Sequence, residues 1–165
     1  MKNLAYLSAP KLLTKEAKVL RSRKFVSKLK HIDQIWNYLK NKYGNTLAVK
    51  DLRGKNREEF SYSELDQLIT EASNAFFKLG IRKGDVVTII SENSPRWLIS
   101  DQALMRLGAI VAVRGSNSPS LELGYIIKHS KSVGLIVQSA SVWSKLENKE
   151  ELLKDFKFII NLEDE

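Results

Sequence analysis

A chain of 165 residues, 43% hydrophobic and 28% charged, makes one domain with a sizeable core that buries about 70% of the surface an extended chain exposes. The lack of cysteine excludes a disulfide framework and a thiolate zinc site, and two histidines, His31 and His129, argue against a histidine-rich metal centre. The net charge of +8 is segregated: residues 1–31 hold nine Lys and Arg against the single acid Glu16, whereas the other residues hold eighteen of each sign.

The basic stretch 1–31 reads as a helical arm ahead of a neutral domain, 32–165. It suits anionic lipid head groups or an acidic partner, at about 1 kcal/mol per basic residue near a charged membrane. No DNA- or RNA-binding motif accompanies the charge, so no nucleic-acid partner is expected. Against a lipid role, Phe25, Leu29, Ile32, Trp36, Leu39 and Tyr43 form one helical stripe, which favours docking of this segment on the protein's own core. No run reaches the roughly 18 apolar residues of a membrane span, and the N-terminal segment lacks the apolar stretch of a secretory signal. A cytoplasmic protein is expected, with peripheral membrane contact through the arm as the variant.

Residues 32–44 read as a helix closed by Gly44, 46–51 as a strand, and 53–59 as a charged turn. A helix follows, capped either by Ser61 with Glu64 in a capping box or by Ser63 with Asp66, and it closes at Gly80. The β-branched run Val86 to Ile90 reads as an interior parallel strand. Ser94 and Pro95 start the next helix, through Leu107, and Gly108 ends it. Ala109 to Val113 reads as another buried strand, and Ser118–Pro119 repeats the cap-plus-proline device before a helix through His129. Val133 to Val137 gives a strand, Ser141 to Asn148 or beyond a helix, and Phe156 to Leu162 a last strand. Strand, loop and helix recur at about 25 residues, the βαβ rhythm of a doubly wound α/β sheet.

In such sheets ligands sit outside the carboxyl ends of the strands. The loops 91–94 and 114–118 are therefore the places to seek one. Glu92 and Asn93 follow one strand and Arg114 another, which makes these three the candidate substrate-binding residues, Arg114 through its planar fork for a carboxylate or phosphate. Each has a purely structural reading as well: Asn93 as a turn residue, Glu92 as the partner of a neighbouring cation, Arg114 as an anchor for the loop that follows. No GxxxxGK[ST], GxGxxG or GxSxG pattern occurs, and Ser91 and Ser94 have no base near them in sequence.

The segments SENSPRWLISDQ, GAIVAVRGSNSP and ELGYIIKHS, with IDQIWNYLKNKYG ahead of them, resemble the opening of AMP-forming adenylating ligases of the long-chain acyl-CoA and acyl-ACP synthetase type found in cyanobacteria and chloroplasts. The resemblance covers about Ile32 to Leu162. It implies an α/β fold, an incomplete doubly wound and mainly parallel sheet forming the N-terminal portion of the large adenylating domain. For the complete enzyme it implies ATP and Mg2+, a fatty acid, and CoA or acyl carrier protein. The family's nucleotide machinery is a Ser/Thr/Gly-rich loop ending in Pro-Lys-Gly, an aromatic-Gly-x-Thr-Glu motif, a ribose-binding Asp and a C-terminal Lys. None has a counterpart in this sequence, which ends at Glu165 ahead of the phosphate loop's place.

No catalytic, cofactor-binding or metal-binding residue is therefore assigned, and the chain is expected not to adenylate fatty acids by itself. A sheet cut partway should expose an edge strand and an apolar face, inviting self-association or pairing with a complementing C-terminal ligase fragment. The alternative is a non-catalytic membrane- or acyl-binding module, or a regulatory one that pairs with a complete synthetase.

Overall fold

The computed structural model describes residues 29–52 and 58–163. The chain divides into two compact units, Met1–Ile35 and Trp36–Glu165. All but the last three residues of the expected arm, and most of the expected charged turn, lie outside the described residues.

Helix α1 (Gln34–Tyr43) is followed by β1 (Leu47–Lys50) and β2 (Glu59–Ser61), an antiparallel pair with a register shift between Leu47 and Val49. Of the apolar stripe, Trp36 packs against the core and Tyr43 lies against Tyr62 with ring centroids 5.2 Å apart, whereas Ile32 is 61% exposed. Strand β2 was not anticipated, because three residues ending in a helix cap carry no readable alternation. Helix α2 (Tyr62–Lys78) begins with Ser61 as N-cap: its hydroxyl accepts the Glu64 N–H at 3.2 Å and the Glu64 carboxylate accepts the Ser61 N–H at 2.7 Å. Of the two capping schemes the first is thus realised, satisfying two otherwise orphaned donors.

Then come β3 (Val86–Ile90), α3 (Pro95–Arg106), β4 (Ile110–Arg114), α4 (Ser120–Ser130), β5 (Gly134–Val137), two short helices α5 (Ala140–Lys145) and α6 (Lys149–Leu153), and β6 (Ile159–Asn161). The four later strands form one parallel sheet in the order β4-β3-β5-β6. The chain steps from β3 to one side and then back across it to the other, which is the doubly wound topology. Gly44, Gly80 and Gly108 follow the helices that they were expected to end, with φ of +52°, +93° and +71°.

The sheet's two faces bury alternate residues, as strand pleating requires. Val87, Ile89 and Ile136 pack with Ile69, Phe76, Ala103 and Leu104 of α2 and α3. Ile90, Leu135 and Val137 pack with Leu123, Ile127 and Val142 of α4 and α5. Thr88, fully buried between these apolar neighbours, bonds Ser132 at 2.6 Å.

Three expectations are corrected. Strand β4 is an edge, not an interior strand: Ile110 is 56% and Val113 42% exposed, because apolar composition cannot reveal where the strand order places a strand. Ser118 does not cap α4; Pro119, with ψ of 143°, is itself the N-cap residue and no side chain caps the helix. The helix expected over 141–148 is broken, since Leu146 is extended and Asn148 left-handed at φ +53°.

Polar groups tie the helices on the α2/α3 face. Asp66 of α2 takes Lys40 of α1 at 3.1 Å and Arg106 of α3 at 2.9 Å. Burial pushes its carboxyl upward, but the hydrogen bonds and charges of Arg106 and Lys40 outweigh this and hold it below the usual range. Asp101, also buried, meets no cation among the described residues; it accepts from the Gln102 amide at 2.8 Å, and burial raises its pKa above the usual value. The same Gln102 accepts the Trp36 indole N–H at 2.8 Å.

The two carboxylates should act on stability with opposite sign. The contribution of Asp66 is present above the unfolded value of 3.8 and lost as pH falls through its depressed folded value. That of Asp101 is present below 3.8 and lost as pH rises through its raised value. At neutral pH, Asp66→Asn should lower the unfolding free energy by about 1–2 kcal/mol, and Asp101→Asn should raise it. Urea titrations at neutral and acid pH check both, and the cost of Asp66→Asn should fade in acid. A Cβ at Gly134 would meet the Phe158 ring at 2.7 Å, so Gly134→Ala should cost about 1–3 kcal/mol by overpacking in the same assay.

Candidate functional site

The carboxyl ends of the parallel strands gather three loops: 91–94 after β3, 115–118 after β4, and 138–139 after β5. Because the chain reverses direction across β3, the switch point lies between the ends of β3 and β5, where doubly wound sheets leave a crevice. Here that crevice is bridged. The Glu92 N–H donates to the Gln138 side-chain oxygen at 3.0 Å, and the Gln138 amide nitrogen donates to Glu163 Oε1 at 2.9 Å.

Glu92 turns its carboxylate toward the β4 loop, where Oε1 accepts the Ser116 N–H at 3.1 Å and the Ser116 hydroxyl at 3.2 Å. Gly115 permits this approach, since a Cβ there would lie 3.1 Å from Glu92 Oε1. The carboxylate is thus held by an amide and a hydroxyl rather than by the cation its structural reading anticipated. Arg114 points elsewhere: its Nη2 pairs with Glu122 Oε1 of α4 at 2.7 Å, which is the loop-anchoring role. Asn93 lines a separate cleft of about 520 Å³ between residues 49–52 on one side and Ser94, Pro95, Trp97 and Leu98 on the other. Ser94 caps α3 as expected, accepting the Trp97 N–H at 3.1 Å, while the buried Trp97 indole Nε1 has no partner among the described residues.

The three candidate residues therefore do not converge on one site. Glu92 belongs to the switch point, Arg114 to the β4–α4 corner and Asn93 to the cleft. Sequence reasoning missed Gln138, Ser116 and Glu163, although Gln138 directly follows Val137, the expected end of a strand, and so satisfies the rule that selected Glu92.

Several polar groups of this edge are bonded to one another. Two carboxylates, Glu92 and Glu163, flank the switch point; the N–H groups of Glu92 and Ser116 are both taken; and Arg114 is engaged by Glu122. A nucleotide's phosphates need free N–H donors and cations. Among the described residues no group of three His, Asp or Glu side chains is placed to hold a metal ion. The Glu92 and Ser116 amides are not free for a phosphate, and the carboxylates of Glu92 and Glu163 would repel one.

Glu92→Ala removes the acceptor of two Ser116 donors, one of them a backbone amide of a buried residue. It should cost about 1–2 kcal/mol and speed amide exchange at Ser116. Arg114→Ala breaks a pair whose side chains are 50% and 38% exposed and should cost under about 1 kcal/mol.

Residues 38–164 match the AMP-binding enzyme family. The chain is 31% identical over 136 residues to a chloroplast long-chain-fatty-acid–[acyl-carrier-protein] ligase of Arabidopsis thaliana, covering 82% of this chain and 19% of that protein. It is 32% identical over 114 residues to the crotonobetaine/carnitine–CoA ligase of Escherichia fergusonii, covering 68% of this chain and 22% of that one. The chain thus spans about a fifth of the length of these relatives. Its fold matches the N-terminal domain of FACL13 from Mycobacterium tuberculosis with a TM-score of 0.72 at 19% identity, over 81% of this chain and 34% of that one. With a parallel, doubly wound sheet of this order and a match across most of its length, the chain belongs to the AMP-binding enzyme family.

Proposed function

We propose that this chain is the scaffold that opens the large domain of an AMP-forming fatty-acid ligase, and that it does not activate fatty acids alone. The reading is supported by the switch point, where the Glu92 and Ser116 N–H groups are already bonded and the carboxylates of Glu92 and Glu163 stand close by. Adenylation needs positioned cations and N–H groups around a phosphoryl transition state. In this reading ATP, Mg2+, the fatty acid and CoA or acyl carrier protein are engaged only with the further residues of the ligase, either continuous with this chain or supplied as a complementing polypeptide. The fatty-acid substrate class follows from the Arabidopsis relative, whose name is that of a long-chain-fatty-acid ligase.

A second reading concerns the basic residues 1–31, whose net +8 against a neutral remainder favours peripheral contact with anionic lipid from the cytoplasmic side. Contact carried by that charge would be electrostatic and sensitive to salt; among the described residues no helix is long and apolar enough to cross a membrane.

Pyrophosphate release by the purified chain with ATP, Mg2+ and long-chain fatty acids should stay at background, with or without CoA or acyl carrier protein. Turnover at the rate of a complete ligase sinks the first reading. Co-sedimentation with phosphatidylserine vesicles should fall when residues 1–31 are removed and when salt is raised; binding indifferent to both sinks the second.

A further inference from the structure

We propose that the edge of the parallel sheet at the amino ends of its strands is a surface that docks on anionic lipid bilayers. This surface is separate from residues 1–31 and needs none of them. The segments that lead into the four strands, 78–85, 107–109, 131–133 and 154–158, carry Lys78, Arg82, Lys83, Lys131, Lys154 and Lys157 against Asp85 and Asp155. The segments that leave the strands, 91–94, 115–118, 138–139 and 162–163, carry only the charges of Glu92 and Glu163. The neutral remainder of the chain thus conceals a basic edge opposite an acidic one.

The leading segments meet in space. The Gly84 N–H donates to the Gly108 carbonyl at 2.9 Å and the Lys157 N–H to the Val133 carbonyl at 2.7 Å. The Lys157 ammonium reaches the Gly80 carbonyl at 2.8 Å and Asp85 at 2.7 Å, and a Cβ at Gly108 would touch the Lys83 side chain at 3.0 Å.

Some of this charge answers the helices that end here, since Lys78 lies in the last turn of α2 and Lys131 caps α4, and helix C-termini favour cations. The apolar groups beside it have no such explanation. Phe77 is 51% and Leu79 43% exposed, and the Arg82 guanidinium lies over the Phe77 ring, 4.0 Å from its centroid. Lys78, Lys83, Lys131 and Lys154 form no ion pair among the described residues. Uncovered apolar side chains among unpaired cations suit a bilayer surface, where the former enter the acyl boundary and the latter meet lipid phosphates. A nucleic-acid backbone answers the charge but leaves Phe77 and Leu79 in water. Docked by this edge, the molecule turns Glu92 and Glu163 away from the anionic surface, so that repulsion of these carboxylates reinforces the orientation.

Co-sedimentation of the full 165-residue chain with mixed phosphatidylglycerol and phosphatidylcholine vesicles tests the edge. Lys83→Glu should lower the partition coefficient about fivefold or more, and Phe77→Ser about threefold or more. Lys42→Glu makes the same change of charge at the other end of α2, where Tyr43 meets Tyr62, and should lower it by about twofold at most. Vesicles should also slow amide exchange over residues 77–84. Binding that falls when residues 1–31 are removed but ignores Lys83→Glu and Phe77→Ser overturns the proposal and leaves the arm reading standing. An equal loss in Lys42→Glu and Lys83→Glu overturns it too, because it reports net charge rather than place. So does sensitivity to Lys83→Glu without sensitivity to Phe77→Ser, with duplex DNA bound in the same way, which assigns the edge to a polyanion.

Discussion

Burial of β3 on both faces is the constraint on which the rest of this molecule depends. Val87, Thr88, Ile89 and Ile90 are fully removed from solvent, and each buried Val or Ile contributes about 1.5–3 kcal/mol relative to its exposed state. Burial on two faces also obliges the backbone to be satisfied within the sheet, by β4 on one side and β5 on the other. Helices must then cover both faces, and right-handed crossovers place α3 and α4 on opposite ones. The switch point at the end of β3 follows from that arrangement. Thr88, the one polar residue in the strand, is tolerated because Ser132 meets its hydroxyl.

The loops at the carboxyl ends of the sheet are tied to one another by side chains. The crevice between β3 and β5 is where the topology offers a site. Its polar groups are spent on one another: Glu92 locks the β4 loop through Ser116, and Gln138 bridges Glu92 to Glu163. Such a network rigidifies the loops and costs little when fully satisfied. Membership of the AMP-binding family and an internally satisfied switch point are therefore compatible, since fold and function reside in different residues.

The same economy appears on the helical side. Asp66 draws Lys40 and Arg106 together, so that one buried carboxylate holds three helices, while Gln102 joins Trp36 to Asp101. The outer side of β4 has nothing comparable among the described residues. Ile110 and Val113 remain uncovered, although the opposite end of the sheet closes on a strand of only three residues. Both ends of the sheet are edges paired on one side only, and they differ in strand length and in exposed apolar area.

Local chemistry made much of this legible in advance. The Ser61–Glu64 capping box, the Ser94–Pro95 start of α3 and the glycines after α1, α2 and α3 depend on neighbouring residues, and all are realised. The run 86–90 declared an interior strand because its β-branched residues leave no polar face. The run 109–113 reads almost the same, yet it became an edge, because strand order is a property of crossovers and not of composition. Ser118–Pro119 copies Ser94–Pro95 but does not cap, since Pro119 takes an extended ψ and stays outside the helix. Glu92, Asn93 and Arg114 were found by their position after strands, but their partners lie 24 residues away for Glu92 and Ser116 and 8 for Arg114 and Glu122. The sequence by itself determined the α/β class, the starts of α2 and α3 and the likeness to adenylating ligases, all carried by short-range pattern. Only the tertiary structure decided which strand is exposed and which donors are already taken, because both depend on contacts that form after distant segments meet.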